Sequence, residues 1–306
     1  MRIIADDHIH YVRDYFSSIA DLELIPGRTM TADKVKDADV LFVRSITRVN
    51  HDLLKNSRVK FVGSVTTGTD HLDLPWLKKQ GIAVFATKGF NAPPVADYVV
   101  GVVAAMQQRY GLLISQKKAA VIGVGRVGNL AAERLRLLGF DVTLCDPFRA
   151  AAEPAFHATA LNNLQGMDLI TVHVPLTYGG DHPTFQFLKD DFFERQHKDC
   201  VFINASRGAV VDTEVLLRAA KHTHLCLDVF EHEPLVNRAL LTQASIATPH
   251  IAGYSVQSKL RGMDMLYREM IQLKLVPDAP APLTMPEQTL TFAGENHTWA
   301  EVVLGV

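Results

Sequence analysis

The sequence predicts an α/β protein of two domains, each built on a parallel sheet. Three observations predict it. Short β-branched and aliphatic runs alternate with helical patterns from Arg2 to Ala247, a rhythm that gives parallel strands joined by crossover helices. One long helical pattern, Gly89–Arg109, interrupts that rhythm and separates two sets of strands. The 306 residues also exceed the size at which a single hydrophobic core usually stops growing.

The first set of strands is read at Arg2–Ala5, Val40–Val43, Phe61–Ser64 and Ala83–Ala86. The helical stretch that follows tolerates Pro93 and Pro94 in its first turn, with Asn91 as its cap. The second set is read at Ala119–Ile122, Asp141–Cys145, Leu169–His173, Cys200–Asn204, Leu225–Val229 and Ser245–Ala247. A second long helix is expected from about Ser255 to Lys274. After it VPDAPAPLTMP carries four prolines, which exclude a regular helix or central strand. The tail from Gln288 is too short to be a domain. The expected division is 1–88 plus 255–306 for the first domain and 89–254 for the second. The chain crosses between them twice, so a cleft that can hinge is expected.

A formal net charge of −2 argues against a nucleic-acid or membrane-surface partner held by a strong positive field. The three cysteines, Cys145, Cys200 and Cys226, fall in apolar strand-like runs, which points to reduced, buried thiols and a cytoplasmic compartment. The amino terminus shows no charged leader before a long apolar run, and Val99–Met106 is too short to span a bilayer. The second domain's helix Val99–Ala105 is apolar almost all round and expected to be exposed, so it calls for cover and a homodimer is expected.

The strand at Ala119–Ile122 runs into Gly123-Val124-Gly125-Arg126-Val127-Gly128, and Asn129–Leu138 reads as a helix. The first glycine allows a tight turn, the second lets backbone approach a pyrophosphate, and the third permits close helix–strand packing. The helix amino terminus offers free amides to phosphates. The next strand ends at Asp146, where a carboxylate accepts from a ribose and repels a 2′-phosphate, favouring NAD over NADP. Arg149 reads as a solvated surface arginine.

Arg207, Glu233 and His250 stand at or just beyond the ends of later strands. Oxidising an alcohol by hydride loss also requires removal of its hydroxyl proton, and histidine can take that proton near neutrality. A carboxylate, here Glu233, raises the imidazole pKa and fixes its tautomer. Arg207 offers a planar fork to a substrate carboxylate and can polarise the reacting carbonyl. Each alone has a plain structural explanation; their joint occurrence downstream of a nucleotide fold selects the catalytic one. His8 and His10, His222 and His224, and Glu231 to Glu233 suggest metal ligands, but no three or four converge, so no metal is expected.

The ordered segments VRSITRVN (Val43–Asn50), TGTDHLD (Thr67–Asp73), GVGRVG (Gly123–Gly128), HVPL (His173–Leu176), NASRGAVVD (Asn204–Asp212), LDVFEHEP (Leu227–Pro234) and TPHIAGY (Thr248–Tyr254) resemble the D-2-hydroxyacid dehydrogenase family. DHLDLPWLKKQGI, CDPFRA and HIAGYSVQSKLRG resemble its erythronate-4-phosphate branch, which serves vitamin B6 formation. The resemblance implies a flavodoxin-like substrate domain plus an NAD-binding Rossmann domain, acting on a small phosphorylated 2-hydroxy acid. It implies Arg207, Glu233 and His250 as the catalytic set. It also implies Asp146, Asp228, Gly253, Ala205 and Ser206 near NAD, with Val174 where relatives carry threonine. Ser45, Thr66 and Tyr254 fall near substrate, with loop amides around Thr67 and Gly68. That branch carries a longer carboxyl-terminal domain than this chain spans, so phosphate recognition falls to local groups such as Arg44, Ser45 and Arg48, or the acid differs. Phosphoglycerate or glycerate as substrate, and a non-catalytic NAD-sensing corepressor, are the competing readings.

Overall fold

The computed structural model describes residues 1–111, 117–279, 283–284 and 298–305. Much of the proline-rich segment and most of the tail from Gln288 therefore lie outside the described residues. The chain divides into two compact units. The first is Met1–Asn91 with the segment that begins at Tyr254, and the second is Ala92–Gly253 with the carboxyl-terminal helix.

The first unit holds strands β1 (Arg2–Asp6), β2 (Asp21–Ile25), β3 (Val40–Val43), β4 (Phe61–Ser64) and β5 (Ala83–Ala86). They pair in the order β2-β1-β3-β4-β5, and every pairing is parallel. β3 and β4 are buried along their whole length, as parallel strands covered on both faces must be. One cover is the helix Val256–Gln272, which buries Met263, Leu266, Tyr267 and Met270 at helical spacing against Ile3, Phe42 and Phe61. Its start is set by Ser255, whose side chain accepts from the Ser258 amide in a capping box, a device that contributes about 1 kcal/mol.

The second unit holds β6 (Lys118–Ile122), β7 (Asp141–Cys145), β8 (Leu169–Val172), β9 (Cys200–Asn204), β10 (Thr223–Leu227) and β11 (Ile246–Ala247). Their order is β11-β10-β9-β8-β6-β7, again all parallel. Cys145, Cys200 and Cys226 are unbridged and buried in these strands. Burial pushes the Cys145 and Cys226 thiols up to about 11 and about 12, and Cys200 higher still.

Two expectations are corrected. The apolar helix, Ala92–Tyr110, is not an exposed face: Val99, Val102, Val103, Ala104 and Met106 are buried within the second unit, covered by the helices Arg126–Leu137 and Trp299–Leu304. The same packing places Trp299–Leu304 in the second unit, whereas residues 255–306 were all expected in the first. An indole that finds an apolar helix face goes where that face is. The sequence also gave no strand at β2, an edge strand carrying Asp21 and Glu23.

Candidate active site

In open parallel sheets ligands collect beyond the carboxyl ends of strands, where the strand order reverses. In the second unit that point lies between β6 and β8. A cavity of about 750 Å³ opens there, lined by Gly123 and Gly125 after β6, Asp146 after β7, and His173 and Val174 after β8. The glycines are required by contact. Gly123 has φ +84°, and a Cβ on Gly128 would lie 2.0 Å from the Gly123 carbonyl oxygen, so the helix can start against the strand only if residue 128 has no side chain. A Cβ at Gly125 would meet nothing within 4 Å, which leaves its backbone open to a ligand.

Asp146 is fixed from two sides. Its Oδ1 accepts from the Arg149 amide at 3.0 Å, capping the helix Pro147–Ala152, and its Oδ2 accepts from the Val124 amide at 2.8 Å. Arg149 is not a free surface arginine: it donates to the Val124 carbonyl and Glu153, and its guanidinium lies 4.1 Å over the Phe156 ring. His173 donates to or accepts from Thr171 Oγ1 at 2.9 Å through Nε2, while its buried Nδ1 has no partner among the described residues. Burial lowers its pKa to about 4, so the ring is neutral. Arg126 is exposed in the first turn of the helix Arg126–Leu137, and Val127 is half-buried.

Beyond β10 and β11, His250 Nδ1 lies 2.9 Å from Glu233 Oε2, and Glu233 Oε1 accepts from the Phe230 amide at 2.7 Å. The pair perturbs itself as a proton-handling couple should. The Glu233 hydrogen bond, opposed by burial, raises the His250 pKa. Burial pushes Glu233 up, but the hydrogen bonds from His250 and the Phe230 amide, with the charges of His250 and Arg207, hold it below the ordinary range. Arg207 thus acts electrostatically on both members. Its Nη1 donates to the Ser206 carbonyl at 2.8 Å, and Ser206 is tied through its amide and hydroxyl to Asn204 Oδ1. Next to it Gly208 is obligatory, because a Cβ there would come 1.9 Å from the Phe230 carbonyl carbon.

Asp228 holds the loop that carries His250. Its buried carboxylate accepts from Thr248 Oγ1 and the Ile251 amide, both at 2.7 Å, and from the Ala252 amide at 2.9 Å. The His250 amide donates to the Asp228 carbonyl at 2.8 Å. With the Thr248 proton spent on Asp228, the 2.7 Å contact between Tyr98 and Thr248 hydroxyls must be donated by Tyr98. His250 is held at φ 58°, a conformation uncommon for a residue with a side chain and one this network enforces.

In the first unit, Ser45 follows β3 and is exposed. Thr66 donates to the Gly68 carbonyl at 3.1 Å, so the chain of contacts runs from His71 Nε2 through Ser64 Oγ to Thr66. Thr67 Oγ1 donates to Asn91 Oδ1 at 2.6 Å, which takes up the side chain expected to cap the following helix. The Tyr254 hydroxyl, largely exposed, lies 2.9 Å from His10 Nε2.

Residues 96–252 match the family model of the D-isomer specific 2-hydroxyacid dehydrogenase NAD-binding domain. An erythronate-4-phosphate dehydrogenase of Marinobacter nauticus is 42% identical over 298 residues, 95% of this chain and 78% of that one. The chain belongs to the D-isomer specific 2-hydroxyacid dehydrogenases. Erythronate-4-phosphate dehydrogenases of Azotobacter vinelandii (45% identical, 90% of this chain and 74% of that one) and Coxiella burnetii (40%, 99% and 83%) are similar to it as well. Solved structures share the fold, and two illustrate it. They are D-lactate dehydrogenase from Aquifex aeolicus complexed with NAD and lactic acid (TM-score 0.71, 22% identical, 90% of this chain and 96% of that one) and NAD-bound 3-phosphoglycerate dehydrogenase of Entamoeba histolytica (0.74, 19%, 90% and 95%).

The residues of this dehydrogenase fit NAD on two counts: the glycine cradle that a Cβ would fill, and the orphaned His173 Nδ1 at the same cavity. Gly123, Gly125, Asp146 and Val174 come together there. Ala205, Ser206, Asp228 and Gly253 do not line it; they lie on the loops after β9, β10 and β11. His173, Phe148 and His182 line it without having been singled out in the sequence. His173 had a signal, its place just past β8. Phe148 and His182, whose rings meet at 5.3 Å, had none. Asp6, Asp7 and His8 put three possible metal-ligand atoms within 4.8 Å, but Asp6 is paired with Arg44. Among the described residues no helix is long and apolar enough to cross a membrane.

Proposed function

We propose that this enzyme oxidises 4-phospho-D-erythronate to 2-oxo-3-hydroxy-4-phosphobutanoate in the formation of pyridoxal 5′-phosphate. The 2.9 Å contact between His250 and Glu233, with Arg207 acting on both, carries the reaction type. The relatives named erythronate-4-phosphate dehydrogenase, 40–45% identical, support the substrate.

With Glu233 on Nδ1, neutral His250 directs the lone pair of Nε2 outward and takes the hydroxyl proton of the substrate. Glu233 stabilises the imidazolium that forms. The Arg207 fork pairs with the substrate carboxylate and polarises the oxygen that becomes the carbonyl. Asp228 keeps His250 in place through three hydrogen bonds to its loop. Bound NAD supplies the acceptor for the hydride that leaves carbon 2, which balances the alcohol-to-ketone oxidation. The cavity residues Gly123, Gly125, Asp146 and Val174, with Arg126, Val127 and Gly128 at the start of the following helix and Ala205, Ser206, Asp228 and Gly253 on the later loops, are assigned to the cofactor. Ser45, Thr66, Thr67, Gly68 and Tyr254 in the first unit are assigned to the substrate.

A reducing cytoplasm is supported by three buried, unbridged thiols. A homodimer is supported only by the half-exposed apolar edge left at Val100 and Ala105, and sedimentation tests it. Turnover of 4-phosphoerythronate, 3-phosphoglycerate and unphosphorylated erythronate, followed as NADH absorbance, tests the substrate. A clear preference for 4-phosphoerythronate is expected, and equal or better use of 3-phosphoglycerate overturns the reading.

A further inference from the structure

We propose that the first unit carries an anion subsite built from Arg44, Lys259, His10 and the Tyr254 hydroxyl, with buried Asp6 positioning Arg44, and that it takes the phosphate of the substrate. The choice of phosphate rests on the reading above; the existence of the subsite rests on the first unit by itself.

The sheet order β2-β1-β3-β4-β5 reverses between β1 and β3, so the loops leaving those two strands diverge and open a crevice. Asp6 ends β1 and Arg44 follows β3. Asp6 is fully buried, and its Oδ1 accepts from the His8 amide at 2.9 Å and pairs with Arg44 Nε at 3.0 Å. It cannot back away, because even a Cβ on Gly27 would lie 2.1 Å from its Oδ2. The carboxylate lies against the inner nitrogen of the guanidinium as an ion pair without hydrogen-bond geometry, and among the described residues the two outer nitrogens of Arg44 make no ion pair or hydrogen bond. A fork held from behind and open in front is the arrangement that binds a phosphate bidentately.

The second cation comes from the helix Val256–Gln272. Lys259 Nζ lies 3.4 Å over the Tyr254 ring and has no carboxylate partner among the described residues. The Tyr254 hydroxyl contacts His10 Nε2 at 2.9 Å, which joins this group to the loop after β1. His10 reports the local field: burial lowers its pKa first, and the further causes are the positive charges of Lys259, Arg44 and His8, with no carboxylate among them. Exposed Asp7, on the same loop, contacts His8 Nδ1 at 2.5 Å. Lys259, without a carboxylate partner among the described residues, and Arg44, offset from behind by Asp6, thus lie around His10 and the Tyr254 hydroxyl.

The test uses the full-length chain and its Arg44→Gln and Lys259→Gln variants. Lys259→Gln removes no ion pair and should leave the fold unchanged, whereas Arg44→Gln alone leaves the buried Asp6 carboxylate unpaired; the double variant Asp6→Asn with Arg44→Gln removes both charges together, and Tm is measured for each variant before turnover is compared. The first readout is the ratio of kcat/KM for 4-phosphoerythronate to that for erythronate. Loss of a hydrogen bond to a charged group predicts a fall of about tenfold in each single variant and more when Arg44 and Lys259 are both replaced. The second readout is inhibition by inorganic phosphate, whose Ki should rise in parallel. An unchanged ratio with an unchanged phosphate Ki overturns the subsite. Equal losses on both acids overturn it too, since they would mean that these groups hold the carboxylate. A wild-type enzyme with no preference for the phosphorylated acid but with phosphate inhibition lost in the variants would overturn the substrate reading and leave the subsite standing.

Discussion

Replacing Glu233 with Gln keeps the shape of the side chain and removes the charge that faces His250. The 2.9 Å contact is charge-assisted once the imidazole is protonated, and such a bond contributes about 1.5–3 kcal/mol. In the resting protein the imidazole side chain is 53% exposed and the carboxylate 34%, so solvent screening leaves about 1 kcal/mol or less for fold stability. During turnover the imidazolium forms against the carboxylate, and the whole bond is at stake. Turnover should therefore fall about ten- to a hundredfold, with NADH affinity unchanged. The pH profile supplies the sign. Glu233 raises the His250 pKa, so in the variant His250 titrates at lower pH. Oxidation needs the neutral ring, so the acid limb of kcat/KM moves to lower pH; reduction needs the imidazolium, so its alkaline limb moves to lower pH as well. Stability follows the same linkage. The raised His250 pKa stabilises the fold below the unfolded imidazole pKa, and this is lost as pH rises through the folded one. The lowered Glu233 pKa stabilises it above the unfolded carboxylate pKa, and this is lost as pH falls through the folded one. The Tm difference between wild type and variant should accordingly be largest at mildly acidic pH. A loss below about threefold with an unmoved acid limb would refute the coupling.

Other substitutions test the remaining parts. His250→Ala should abolish turnover while NADH binding, followed by fluorescence, stays nearly intact; loss of both would remove His250 from its assigned role. Asp146→Ser should raise the use of NADP relative to NAD; serine can still cap the helix Pro147–Ala152 but leaves the Val124 amide without its acceptor, so the fold should lose about 1–3 kcal/mol. An unchanged cofactor preference would place the ribose carboxylate elsewhere. Gly128→Ala should destabilise the second unit by about 2 kcal/mol or more and weaken NADH binding, because its Cβ would stand 2.0 Å from the Gly123 carbonyl oxygen; a wild-type Tm would contradict that packing. Asp228→Asn should lower kcat as well as raise KM for NAD, since Asp228 is assigned to the cofactor and also anchors the His250 loop; an unchanged kcat would remove it as the anchor of that loop.

Every strand but β2 was disclosed by the sequence, most plainly those buried on both faces. β3, β4, β8 and β9 read as continuous apolar runs, and a buried parallel strand has no other way to be written. β2 escaped because an edge strand keeps one side in water, and DLELI spends alternate positions on acids. Gly123–Gly128, Asp146 and the His250–Glu233 pair were legible because turn geometry, strand ends and proton chemistry each restrict residue type. What covers the helix Ala92–Tyr110 was not legible, since an apolar face does not name its partner, here Trp299 and the helix Arg126–Leu137. The contact of Asp6 with Arg44 was hidden for a related reason. It depends on β1 lying beside β3, and only the sheet order reveals that.

Following the hydrogen on carbon 2 tests the central claim most directly. With 4-phosphoerythronate deuterated at that carbon, the account predicts that mass spectrometry finds the label in the reduced nicotinamide and a 2-oxo acid in equal amount. Label retained in the acid, or lost to water, would contradict it.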